Sequence, residues 1–429
     1  MAQDALLAAY ASALFVFLTY ALGSLAQRLG SPALVGEIVA GMAVGPKGFD
    51  LLPNHEAWAA AGTVGLVLLV LEGGLHVDLG TLKRVGRVAF CVALAGTALP
   101  LCATWAALAA LPAFTSREGL LCGTALSSTA IGMSAKLMAD LGVLDTDYGR
   151  LVVTAAMFDD VLSLVLLAVV TNGLGGDANA EDVAWPVAAS AAFLFASLGL
   201  ARAVPRAAAA LKKRGEGRGA AWAFGAAWSR ALVLSALATC AAWSAAAHYA
   251  RSTYLLGAFT AGVAFAAVPG AADAFDRDVS PVSAWTSRVF FGSVGFVVPV
   301  GRLFSAPAVG YGALVSCIAV ITKVVTGVFD WDRRWEVGVA MVGRGELGFI
   351  MAEQSFRAGL TSPLALAVTV WALLVATLVS PVVLRRLLRN NDKITATRKT
   401  TTEAKPALPA ANGPDAETNC RLDTPPEAE

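Results

Sequence analysis

The residues best placed to do chemistry are two adjacent acids, Asp159 and Asp160, in the stretch "AAMFDDVLSLVLLAVV". The run around them, Leu151 to Thr171, is long enough to cross a bilayer. A charge at that depth costs at least about 2.5–3.5 kcal/mol on an isolated helix. The other charged residues inside apolar runs are few: Glu37, Glu72, Lys323, Arg344 and Glu346, with Glu353 nearer an end. Neighbouring helical positions differ by about 100°, so Asp159 and Asp160 cannot face the same spot. One can face a water-filled cavity while the other meets a cation on a neighbouring helix. Lys323, central in "CIAVITKVVTGVF", is the natural partner. A lysine buried beside a carboxylate can titrate, which an arginine in its place could not do. A static salt bridge between Asp159 and Lys323 would fix packing, but one lysine compensates only one of two acids. The second acid then stays protonated or takes a cation from solution. Either outcome is proton or cation binding.

The elements that must hold these residues are membrane spans. The chain has 429 residues, of which 57% are hydrophobic and only 15% charged. Soluble domains carry about 25% charged residues. A net charge of +1 gives no basic field for nucleic acid. Five of the six cysteines lie inside apolar runs and none forms a CxxC, so they read as packing residues. His76 and His248 near span ends and His55 in a loop make no metal site, and no cofactor is expected.

Apolar periodicity predicts about thirteen spans in an all-α polytopic membrane protein. They cover 5–27, 32–50, 59–77, 87–111, 118–139, 148–172, 184–205, 231–249, 252–269, 284–302, 307–329, 336–357 and 361–385. Connections after odd-numbered spans hold most of the loop Arg and Lys, and the sixth connection, "GGDANAED", is acidic. Because positive residues gather on the cytoplasmic side, this alternation supports the count and an N-out, C-in orientation. With the basic seventh span as a linker, six spans precede it and six follow, the arithmetic of an inverted-topology repeat. The fifth span ("CGTALSSTAIGMSAK") and the twelfth ("VGVAMVGRGELGFIM") mix Gly with polar residues at mid-depth. Both read as unwound helices, with Ser128 and Thr129 in one break and Arg344 and Glu346 in the other. Hydroxyl, carboxylate and carbonyl oxygens suit a hard monovalent cation. Gly41 and Gly45 form a GxxxG that reads as packing. Residues 390–429 are polar, and the composition predicts a disordered cytoplasmic tail beyond a membrane domain of residues 1–389.

Seven motifs then come in the order of a known family: "GEIVAGMAVGP", "GLHVDL", "LSSTAIGMSAKLMADLGVLDTDYGR", "FDDVL", "YLLGAFTAG", "ITKVVTG" and "GRGELGFIMAE". The chain resembles the monovalent cation/proton antiporters, in the branch called CPA2, over about residues 5–385. The resemblance implies exchange of Na+, ahead of K+, for protons by alternating access. It also implies a homodimer, with spans 1–3 and 8–10 as dimerisation scaffold and spans 4–6 and 11–13 as a mobile core. Two unwound helices would cross beside the acids. By position, Asp160 binds the transported cation or proton, Asp159 pairs with Lys323, and Thr129 lies at the first break. Ser128, Arg344, Glu346 and Glu72 take supporting places. The paired acids with a lysine favour electrogenic exchange. His76 stands where the family usually has Glu, and Gly343 where Pro commonly precedes Arg-Gly-Glu. "LEGGL" is similar to the sister branch, whose exchange is usually electroneutral.

Other classes fit less well. An intramembrane aspartyl protease needs its two acids on separate helices, and here they are neighbours. An organic-anion symporter would meet repulsion from two mid-membrane acids. A sensory or structural protein with a dead exchange site would not need the constellation intact.

Overall fold

The computed structural model describes residues 2–129, 138, 143, 144, 146–173, 180–215 and 221–403. Among them every regular element is helical: α1 (Ala2–Arg28), α2 (Ala33–Val44), α3 (His55–Leu75), α4 (Leu79–Ala109) and α5 (Ser116–Ala125) come first. Then follow α6 (Asp147–Gly173), α7 (Ala180–Gly215), α8 (Ala221–Tyr249), α9 (Tyr254–Phe265), α10 (Ala271–Asp278) and α11 (Ser280–Gly295). The chain continues through α12 (Val300–Leu303), α13 (Ala306–Val325), a 3-10 turn (Thr326–Phe329), α14 (Arg334–Ala340), α15 (Glu346–Arg357) and α16 (Pro363–Glu403).

Among the described residues, each expected span overlaps at least one helix, and the twelfth overlaps two short ones, α14 and α15. Eight helices among the described residues are long and apolar enough to cross a membrane, and α2 and α9 are shorter apolar helices. Lipid accepts apolar side chains, so the outer helices need little protein cover. In α1 and α7 only 17% of the apolar window is buried, against 61% in α16. The acidic connection expected before α7 lies in part outside the described residues, as does the fifth span beyond Thr129 apart from Met138.

Helix packing falls into two groups. In one, α2 packs on α1 and α11, α3 on α11 and α9, and α8 on α9. In the other, α4 packs on α5, α6 and α13, and α15 on α5 and α6. Close backbone approach holds the first group together. A Cβ on Gly41 would lie 1.7 Å from the Gly292 carbonyl oxygen, and one on Gly74 2.1 Å from that of Phe259. Without a hydrophobic drive between helices in lipid, such contacts supply the attraction through dispersion. Gly41 of the GxxxG is therefore a packing residue.

Two features of the second group prepare the site. A capping box starts α5: the Thr115 hydroxyl accepts from the Glu118 N–H, and the Glu118 carboxylate accepts from the Thr115 N–H. The spans at the fifth and twelfth positions are both interrupted, after Ala125 and after Ala340.

The last helix is described as far as Glu403. Helix propagation gains one hydrogen bond per residue fixed, so an established apolar helix extends into a polar sequence with no helix breaker. Residues 404–429 lie outside the described residues. The chain divides into two compact units, Met1–Leu387 and Leu388–Glu429, and everything below concerns the first.

Replacing Gly41 by Ala is expected to lower the thermal midpoint of the purified protein markedly, because its methyl would meet backbone rather than a movable side chain. Overpacking typically costs about 1–3 kcal/mol. A melting curve in detergent equal to the wild type would contradict the α2–α11 contact.

Candidate functional site

Asp159 and Asp160 lie midway along α6, as their flanking apolar residues require. Asp159 is fully buried, whereas Asp160 is partly exposed. Lys323, near the C-terminus of α13, is also fully buried, and its Nζ lies 3.2 and 3.3 Å from the two Asp159 oxygens. The same ammonium donates to the Thr129 hydroxyl at 2.6 Å. Thr129 is the last described residue of the first break, and its hydroxyl reaches the Met341 carbonyl in the second at 3.5 Å. Asp159 Oδ1 also accepts from the Thr97 hydroxyl of α4 at 2.9 Å. Gly96 makes this approach possible, since a Cβ there would stand 3.1 Å from Lys323 Nζ.

The two breaks meet. In the first, Leu126–Thr129 leave helical geometry, and in the second Gly343–Gly345 do so, with Gly345 extended. Arg344 is fully buried and spans the gap. Its Nη1 donates to the carbonyls of Ser128 at 2.9 Å and Ser127 at 3.4 Å, and its Nη2 to that of Ala319 on α13 at 3.0 Å. The Arg344 carbonyl in turn accepts from the Thr377 hydroxyl of α16 at 3.1 Å. A Cβ on Gly348 would lie 2.7 Å from the Ala125 carbonyl and 2.9 Å from Ser128 Oγ, so the half-helices touch at backbone distance. Carbonyls at a helix C-terminus carry partial negative charge, which favours a cation there. Arg344 occupies that place at the end of α5.

A cavity of about 490 Å³ opens beside α6, lined by Arg150, Val153, Thr154 and Met157 of that helix. These residues form one stripe at helical spacing, and Asp160 is the next position on it. Across the cavity stand His76, Asp78 and Thr81. His76, just past the end of α3, bonds the Glu72 carbonyl through Nδ1 at 2.8 Å and faces the Asp276 carboxylate through Nε2 at 3.2 Å. Burial works to lower its proton affinity, but the Glu72 carbonyl and Asp276 outweigh it, and His76 is held above the ordinary histidine value. Asp78 caps α4, and its bond from the Thr81 hydroxyl is the chief reason its carboxyl stays below the usual range.

The structure thus brings together Asp159, Lys323, Thr129, Ser128 and Arg344, with Asp160 on the adjoining face. Glu72 stands apart: its carboxylate accepts from the Ser280 hydroxyl at 2.8 Å. Glu37 is buried near Arg288 at 3.7 Å, and Glu353 pairs with Arg357 at 2.8 Å. Glu346 begins α15, and its side chain lies outside the described residues. Thr97 escaped the sequence reading because a threonine within an apolar helix carries no mark of its distant partner.

Known proteins share this architecture. The archaeal sodium/proton antiporter MjNhaP1 of Methanocaldococcus jannaschii superposes with a TM-score of 0.63. The match covers 89% of this chain and 96% of that one at 16% identity, a likeness of fold. In sequence, the chain is 26% identical over 421 residues to the high-affinity Na+/H+ antiporter NhaS3 of Synechocystis, covering 88% of this chain and 89% of the relative. It is 27% identical over 393 residues to the Na+/H+-K+ antiporter GerN of Bacillus cereus, covering 89% and 96%. The family model described as sodium/hydrogen exchanger, transmembrane, matches residues 13–390. With nearly the whole membrane region matched, the chain belongs to the transmembrane sodium/hydrogen exchanger family.

Proposed function

We propose that the protein is an electrogenic secondary transporter that exchanges a monovalent cation, Na+ ahead of K+, for protons by alternating access. The carrying observation is the fully buried Asp159–Lys323 pair, joined to the first break through Thr129 and set beside the partly exposed Asp160. Proteins named as Na+/H+ and Na+/H+-K+ antiporters are relatives over most of the chain, which supports the substrate class. The family is one of transporters rather than enzymes.

In this reading a cation enters along the α6 stripe and binds at Asp160. It competes with Lys323 for the carboxylate of Asp159. Loss of that pair leaves an ammonium in a low-dielectric site, and releasing its proton removes the cost. Asp160 gives up a second proton when the cation binds. Two protons then exchange for one monovalent cation. The group built on α4, α5, α6, α13, α14, α15 and α16 carries the site past the group built on α1–α3, α8, α9 and α11. The second group is also where two copies would pair. The basic connections support a reading with the C-terminal side in the cytoplasm and the N-terminus outside.

Two outcomes follow. Asp160→Asn is expected to abolish cation-dependent proton flux in proteoliposomes while insertion and thermal stability persist; normal exchange by that variant would remove Asp160 from the mechanism. Lys323→Gln is expected to keep some exchange and lose its response to membrane potential. The check is to impose a valinomycin-set potential and compare initial rates of both proteins. A wild type that ignores the potential would establish the electroneutral reading to which "LEGGL" points.

A further inference from the structure

A threonine hydroxyl inside a helix ordinarily donates its single proton back to the carbonyl three or four residues earlier. Thr260, Thr322 and Thr369 all do so in this protein. Thr97 does not. It is buried at 7% exposure, and its hydroxyl donates across to Asp159 Oδ1 at 2.9 Å. The helix thereby forgoes a local bond for a contact with a residue 62 positions away.

That contact makes the Asp159 carboxylate asymmetric. Oδ1 receives both Thr97 and Lys323, whereas the bond recorded to Oδ2 comes from Lys323 at 3.3 Å. In the exchange cycle Lys323 must leave this carboxylate. The terminal torsion of an aspartate is broad and nearly two-fold, so a carboxylate freed from one partner turns unless another holds it. The Thr97 bond remains when the lysine lets go.

We propose that Thr97 is a positioning residue for exchange: it anchors Asp159 Oδ1 so that Oδ2 is presented to the incoming cation. The proposal rests on the exchange reading above and adds to it a division of labour between the two carboxylate oxygens. The neighbouring Gly96 fits this role. A Cβ there would stand 3.1 Å from Lys323 Nζ and 3.7 Å from Asp159 Oδ1, so α4 approaches the pair as closely as a hydroxyl donor at position 97 requires.

The test is cation-dependent proton flux in proteoliposomes, measured against Na+ concentration for wild type, Thr97→Val and Thr97→Ser. Valine keeps the shape and removes the donor, whereas serine keeps the donor. Thr97→Val is expected to raise the KM for Na+ about tenfold, as loss of one bond to a charged group would. Its Vmax should change much less, and Thr97→Ser should restore a KM near that of the wild type. Where valine proves too unstable to purify, Thr97→Ala is expected to give the same shift in KM. An unchanged KM in the donor-less variant, with the wild type exchanging normally, would overturn this proposal alone. So would equal losses of Vmax and thermal stability in the Val and Ser variants, which mark a packing role. A wild type with no cation-dependent flux would overturn the exchange reading together with it.

Discussion

The structure turns on two charges that water cannot reach. Lys323 and Asp159 are both fully buried, and taking either out of water alone costs several kcal/mol. Their attraction offsets that cost only when the remaining donors and acceptors are also satisfied. Thr97 supplies a donor to the acid, and Thr129 supplies an acceptor to the lysine. Four separate segments, α4, the first break, α6 and α13, are therefore fixed relative to one another by one polar cluster. Gly96 leaves room for it, since a Cβ there would stand 3.1 Å from the ammonium and the lysine would have to give slightly.

The same constraint explains Arg344. Backbone that leaves helical geometry at membrane depth frees carbonyls and amides that lipid cannot satisfy. A guanidinium is planar and presents a rigid fork of donors, so one side chain can serve several carbonyls. Arg344 serves those of Ser127, Ser128 and Ala319. Hydroxyls from α16 complete the task on the other break: Thr377 donates to the Arg344 carbonyl and Ser380 to that of Val339. The lysine and the arginine thus divide the work. One can give up its proton and faces the carboxylate; the other keeps its charge and holds backbone.

Much of this was legible in the sequence for a simple reason. In lipid, apolar runs must be helices, and polar residues inside them must have a purpose, so Asp159, Asp160, Lys323 and both breaks stood out by position. Distant pairings were not legible. Glu72 looked like part of the same constellation, yet Ser280 holds its carboxylate across 208 residues of chain. Thr97 looked like any helical threonine, and only the packing of α4 on α6 and α13 gives its hydroxyl a partner.

The partners in the site have one property in common. Thr97, Thr129, Asp159, Lys323, Arg344 and Thr377 all belong to α4, the breaks, α6, α13 or α16, and among the described residues their side-chain hydrogen bonds stay within these segments. The group around α1, α2, α3, α9 and α11 has its own contacts, both glycine-mediated, such as Gly41 with Gly292 and Gly74 with Phe259, and polar, such as Glu72 with Ser280. The glycine contacts are short-ranged and fix helices at one separation, which suits a rigid frame. A displacement of the polar group as a body would leave each of its hydrogen bonds intact. Such a displacement would expose neither a carbonyl nor a charge of the cluster to lipid.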